Sequence, residues 1–233
     1  MMLTHNFAEL KHRAKQKERT HDTNGEKFIG LLQRAIKTGF GRNMIILGEP
    51  GSGKSWACMR LAERLDLNGF TPEKVAFTAK EFMECIMRSK PGDAIVYEEV
   101  GVNISNRQWW KQFGQNAIMQ TIRHKNLFVI MNCPNMDFVD KPITKLIHYT
   151  FKMMEMNQRK GYSIMRPIRT ETDGQFNYTK KLYPMIEGVL ITQIKVGSPS
   201  VKIRHQYEKK SKIFKNDLNK KFLDEELEKE KGD

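Results

Sequence analysis

The sequence predicts an α/β fold: a parallel sheet flanked by helices, extended by antiparallel strands, with a charged helix near the C-terminal end. Three observations carry this. The apolar run Met44-Ile45-Ile46-Leu47 leads straight into a glycine-rich loop, residues 48–55, and then into a helical pattern. Short apolar runs and amphipathic segments alternate to about residue 131, as crossover connections between parallel strands require. Beyond residue 149, strand-like segments are separated by Arg159-Lys160-Gly161 and Asp173-Gly174, which are hairpin signals.

The elements follow in order. Residues 1–25 are polar, with Lys11, Arg13, Lys15, Lys17 and Arg19 nearly alternating, and read as a flexible basic arm. Phe28, Ile29, Leu31, Leu32 and Ile36 predict a helix over 26–37, stopped by Gly39 and Gly41. A strand at 43–47, the loop, and a helix to about 67 come next, then a short strand at 74–77. Thr78 with Glu81 three residues later predicts a capped helix to about Arg88. Pro91-Gly92-Asp93 turns the chain into the buried strand Ala94-Ile95-Val96-Tyr97.

Ser105 is placed to cap a long helix to about 125 carrying Trp109, Trp110, Phe113, Ile118, Met119 and Ile122. A strand at 127–131 and a short helix near 142–147 follow. Strands are then predicted at 149–156, 162–172 and 176–182, with another at 189–196. Gly197-Ser198-Pro199-Ser200 breaks the chain before a charged helix, basic first (Lys209, Lys210, Lys212, Lys215) and acidic last (Glu225, Glu226, Glu228, Glu230). Its Ile213, Phe214, Leu218, Phe222, Leu223 and Leu227 form either a docking stripe or one side of a solvated helix. The expected organisation is an arm (1–25), a nucleotide-binding domain (26–200) and a C-terminal helix (201–233).

The loop Gly48-Glu49-Pro50-Gly51-Ser52-Gly53-Lys54-Ser55 is a complete phosphate-binding pattern in its strand–loop–helix setting. Glycines let the backbone turn N–H groups onto phosphate oxygens. Lys54 supplies a charge for the β- and γ-phosphates, and the Ser55 hydroxyl can ligate Mg²⁺. The helix starting near Trp56 points its N-terminus at the bound anion. Cofactor-binding residues are therefore expected at Gly48 through Trp56.

The strand at 94–97 ends in Glu98-Glu99, a Walker B arrangement. Glu98 is assigned to the metal together with Ser55, and Glu99 to the base that activates the attacking water. An acid in that place marks water-activating ATPases, in which a further strand lies between the loop strand and the Walker B strand. Residues 127–131 are the candidate strand, with Asn132 at its tip as a group to hold the water or sense the γ-phosphate. Asn132 reads equally well as a turn former. No Asn-Lys-x-Asp guanine-reading motif occurs, which makes ATP the expected nucleotide. Arg159, Arg166 and Arg169 imitate a kinase lid but fall among predicted hairpins.

These motifs, with Glu98-Glu99-Val100-Gly101 and with Thr121-Ile122-Arg123-His124-Lys125-Asn126 leading into the next strand, resemble ATPases of the FtsK–HerA superfamily. More narrowly, residues 26–155 resemble its small archaeal and mobile-element members, including zonula-occludens-toxin-like relatives. The resemblance implies a P-loop NTPase of the ASCE type forming a ring, hexameric in its relatives' manner, that moves DNA. Where that superfamily commonly has Gln, this chain has Asn132, similar to the sensor Asn of AAA+ ATPases. A ring would bring a trans-acting arginine to the neighbour's γ-phosphate, and Arg107 and Arg123 are the candidates.

Of 233 residues, 40 are Lys or Arg and 27 Asp or Glu, a net charge of +13 that suits a polyanion, nucleic acid first. Cys58, Cys85 and Cys133 have no paired spacing, so neither a zinc site nor a disulfide framework is indicated. No apolar stretch approaches the ~18 residues of a membrane span, and the start lacks a secretory signal, so a cytoplasmic location is expected. The leading function is an ATP-driven oligomeric motor or DNA-processing ATPase. Its rival is an AAA+-like nucleotide-switched loader that recruits a protein partner.

Overall fold

The computed structural model describes residues 23–98, 115–139, 141–173 and 178–232. Helix α1 spans residues 23–37. It leads to β1 (Arg42–Leu47), and the glycine-rich loop then opens α2 (Lys54–Leu65). β2 (Val75–Ala76), α3 (Ala79–Arg88) and β3 (Ala94–Tyr97) follow. After them come α4 (Gln115–His124), β4 (Phe128–Cys133) and α5 (Lys141–Thr144). The second half holds β5 (Tyr149–Asn157), β6 (Tyr162–Asp173), β7 (Tyr178–Leu182), β8 (Met185–Ile186), β9 (Val189–Leu190), β10 (Ile194–Gly197) and α6 (Val201–Gly232).

The main sheet has the order β10-β6-β5-β1-β4-β3-β2, with β7 also on β6. The five strands from β5 to β2 are mutually parallel, and β6, β7 and β10 extend the sheet antiparallel on one side. The predicted class is therefore the observed one. β4 pairs with both β1 and β3, so it lies between the loop strand and the strand that ends at Glu98.

Strand alternation sends side chains to two cores, one per face. Met44 and Ile46 of β1 join Phe28 and Leu32 of α1, Cys58 and Leu61 of α2, and Ile203 and Tyr207 of α6. Ile45, between them in sequence, faces the other way and packs with Phe82, Tyr97 and Ile122. α6 thus belongs to the core on the α2 face: Phe77 stacks on Phe214 and Tyr207, with ring centroids 4.8 and 6.1 Å apart. Of the apolar stripe expected on this helix, Phe214 packs on the core, whereas Ile213, Leu223 and Leu227 are exposed.

Two local devices hold the elements that carry the site. Thr78 Oγ1 accepts from the Glu81 amide (3.1 Å), while the Glu81 carboxylate accepts from the Phe77 amide one residue before the cap (2.8 Å), so side chains satisfy two amides at the start of α3. Lys74 bridges Asp66, just past α2, and Asp93, just before β3, at 2.7 and 2.9 Å. Asp66 also accepts from the Ala94 amide, fixing where β3 begins.

The structure corrects some expectations. The apolar run 189–196 is not one strand: β8 and β9 form a separate hairpin around Glu187 and Gly188, both at positive φ (52° and 75°), and β10 starts only at Ile194. The strand expected at 74–77 shrinks to Val75–Ala76, with Phe77 turned to α6. Of the long helix predicted from Ser105, only Gln115–His124 lies among the described residues, and the arm expected at 1–25 falls outside them up to residue 22.

Candidate nucleotide site

The loop's shape follows from its glycines. Gly51 and Gly53 have φ of +79° and +87°, the left-handed region that side chains disfavour. A Cβ on Gly53 would also stand 2.5 Å from Met156 Sδ of β5, so that side chain would have to swing aside. The turn is closed by the Ser52 amide donating to the Glu49 carbonyl at 3.1 Å. Gly53 ends the loop and caps α2 without any side-chain hydrogen bond, which leaves the first-turn amides of α2 facing the loop. Those amides and the helix dipole favour an anion there.

Lys54 folds back across this loop, its Nζ donating to the Glu49 carbonyl at 2.8 Å. Its charge is carried on a flexible four-carbon stem. Ser55 Oγ donates to Glu98 Oε2 at 2.9 Å, joining the start of α2 to the end of β3. Glu98 is only 3% exposed, and its amide donates to the Ala76 carbonyl, which fixes its backbone against β2. A hydroxyl and a buried carboxylate at a phosphate loop are hard oxygen donors that fit Mg²⁺, an ion that keeps several waters and needs few protein ligands. No group of three or more His, Cys, Asp or Glu among the described residues forms a separate metal cluster.

Asn132 lies inside β4 rather than at its tip, opposite Ile46 of β1, and is 1% exposed. Its Nδ2 approaches Cys58 Sγ of α2 at 3.7 Å, so it is packed beneath the phosphate loop and is not a turn former. Burial, with the Glu98 charge added, pushes the Cys58 thiol well above its usual range. The Trp56 ring lies under the guanidinium of Arg204 of α6, 5.2 Å from its centroid.

The residue that sequence reasoning missed is Tyr207. Its hydroxyl faces Ser55 and Ser211, and it lines with Ser55, Trp56, Lys212 and Lys215 a cavity of about 460 Å³ beside the start of α2. Burial, and then the Glu98 charge, raise its phenol far above the ordinary value. A tyrosine six residues into a charged helix carries no local signal of such a contact. Arg123 is not brought to this site: it lies at the end of α4, by the start of β1, opposite the edge where the loop leaves. Glu99 and Arg107 lie outside the described residues.

The arrangement of β1, phosphate loop, α2 and the acid at the end of β3 is that of a P-loop NTPase. No protein-family model matches the chain, and no curated protein matches its sequence. Solved structures resemble it distantly. A DNA polymerase III gamma-subunit-related protein from Thermotoga maritima aligns over 57% of this chain and 47% of its own, with 11% identity and a TM-score of 0.41. The N-terminal domain of zonular occludens toxin from Neisseria meningitidis aligns over 64% and 95%, with 14% identity and a TM-score of 0.35. The FIGL-1 AAA domain, solved with ADP, aligns over 60% and 51%, with 14% identity and a TM-score of 0.40. This chain thus spans about half the length of the first and third. No helix among the described residues is long and apolar enough to cross a membrane.

Proposed function

We propose that this chain is a Mg²⁺-dependent ATPase that works on DNA as an oligomer. The observation that carries the reading is the placing of Glu98 beside Ser55, with β4 inserted between β1 and β3. That strand order belongs to ATPases that hydrolyse with a water activated by an acid beside the metal carboxylate.

Each residue then has a task. The loop amides and the start of α2 bind the triphosphate, and Lys54 moves from the Glu49 carbonyl to its β- and γ-oxygens. Ser55 and Glu98 hold Mg²⁺, which when bound neutralises charge on the phosphates. Glu99, next in the chain, takes the proton of the attacking water. Asn132 holds Cys58 and so the loop-facing surface of α2 in place. The net charge of +13 supports a polyanionic partner.

A second reading, a nucleotide-switched loader, is favoured by one contact. Tyr207 couples Ser55 to a helix whose outer part exposes Ile213, Leu223 and Leu227, so nucleotide at Ser55 has a path to a protein-docking face. ATP turnover with and without DNA separates the two. A motor shows turnover raised by DNA and falling steeply with salt, because phosphate contacts release counterions. A loader shows ATP-dependent capture of a protein with little change on adding DNA.

A further inference from the structure

The edge of the parallel sheet opposite the phosphate loop holds a second cleft of about 790 Å³ between the starts of β1 and β5 and the end of α4. Arg42, Arg123, His124, Lys145 and His148 line it, and no Asp or Glu does among the described residues. Arg42 and Arg123 put two permanent cations on this one cleft, and charges of one sign in a cleft draw an anion there. His148 Nδ1 accepts from the Asn43 amide at 3.0 Å, and desolvation, then the Arg42 and Arg123 charges, pull its pKa down to about 4.

Phe40 stands at the mouth of the same cleft, 58% exposed. Its position is held, since its amide donates to the Ala35 carbonyl at 2.9 Å and the Gly39 amide to Ile36 at 3.0 Å, closing the end of α1. The Arg42 guanidinium lies 5.7 Å from the ring centroid, covering part of it and leaving the remainder to solvent. An open aromatic face on a fixed turn, flanked by cations, is how proteins hold an unstacked base and its phosphates. A duplex keeps its base faces stacked inside and has nothing to lay on Phe40.

We propose that this cleft binds single-stranded nucleic acid, with a base on Phe40 and backbone phosphates on Arg42 and Arg123. The inference rests on the nucleic-acid part of the function proposed above, and is independent of its nucleotide part.

The test uses the full chain and a fluorescein-labelled 20-nucleotide oligothymidylate, with anisotropy followed across a salt series. Phe40→Ala should weaken binding about tenfold, the order expected for losing one stacked base. The Arg42→Ala/Arg123→Ala pair should flatten the slope of log affinity against log salt by about 1.4, the share of two single-strand phosphate contacts. Phe40→Trp should restore wild-type affinity, which a folding defect would not. Wild-type binding by Phe40→Ala, or a 20-base-pair duplex held as tightly as the oligothymidylate, overturns the proposal. A wild-type chain that ignores the oligothymidylate at low salt overturns it together with the nucleic-acid reading. Mg²⁺-dependent ATP binding, measured on the same wild-type and Phe40→Ala samples, shows separately whether the nucleotide reading stands.

Discussion

Ser55 Oγ donates to Glu98 Oε2 at 2.9 Å, tying the first turn of α2 to the first residue past the end of β3. The bond sets two oxygens where one divalent ion can meet both, and it places a buried carboxylate against a phosphate loop. Ser55→Ala removes one ligand and one hydrogen bond to a charged group, worth about 2 kcal/mol. Titration calorimetry should therefore show Mg²⁺-ATP binding weakened by tenfold or more, while ATP binding in EDTA changes little. Equal losses with and without Mg²⁺ would take the metal away from this pair.

Tyr207 competes for Ser55. Its hydroxyl faces the serine from α6, whereas its ring is held by Phe77, so Tyr207→Phe removes the polar contact and keeps the packing. Mg²⁺-nucleotide affinity should rise a few-fold, about the worth of one net hydrogen bond, with the melting temperature nearly unchanged. A fall in affinity would make Tyr207 a group that positions Ser55 instead.

The Lys74 node should govern acid stability. Burial pushes the Asp93 carboxyl up, but the Lys90 amide, Lys74 and Asn68 outweigh it, and the net shift is downward from 3.8. The native state therefore binds the ionised form more tightly than the unfolded chain does. That contribution is whole above about pH 4 and is lost as pH falls through the lower native value. Lys74 shows the mirror case: burial lowers it, Asp66 and Asp93 raise it further, and its share persists below 10.5 and fades above the raised native value. Lys74→Ala strands two largely buried carboxylates and should cost about 3 kcal/mol in urea unfolding at pH 7. The deficit relative to wild type should shrink toward pH 3, and a constant deficit would contradict the node.

The three thiols should be silent in the native protein. Cys58, Cys85 and Cys133 are buried, and burial raises each of them, Cys133 to about 12. Only thiolate reacts quickly. At pH 8, Ellman's reagent should detect none within minutes and all three in denaturant, and rapid native labelling of Cys58 would mean that α2 opens from β4.

What the sequence revealed was what local pattern encodes. The glycines and Lys54-Ser55 had to be adjacent to form one loop, and four apolar residues before Glu98 announced a buried strand. Thr78 and Glu81 marked their helix start because a cap is made within four residues. The hairpin at Glu187-Gly188 was missed because the apolar run 189–196 masked a turn that needs two consecutive positive φ values. Asn132 was placed at a tip because register with Ile46, not local pattern, extends β4 to Cys133. Tyr207 meets Ser55 across 152 positions of chain, and the Phe40–Arg42 cleft forms only when α4 and the start of β5 close on β1. Neither contact leaves a periodic trace.

The central claim is hydrolysis of ATP at the Lys54–Ser55–Glu98 site, and phosphate release tests it most directly. Purified wild-type chain with Mg²⁺ and ATP should release phosphate, whereas Lys54→Ala, equally folded by its melting curve, should do so at least about a hundredfold more slowly, as loss of one transition-state donor predicts. Equal release by both proteins, or none by the wild type with DNA present or absent, would contradict the account.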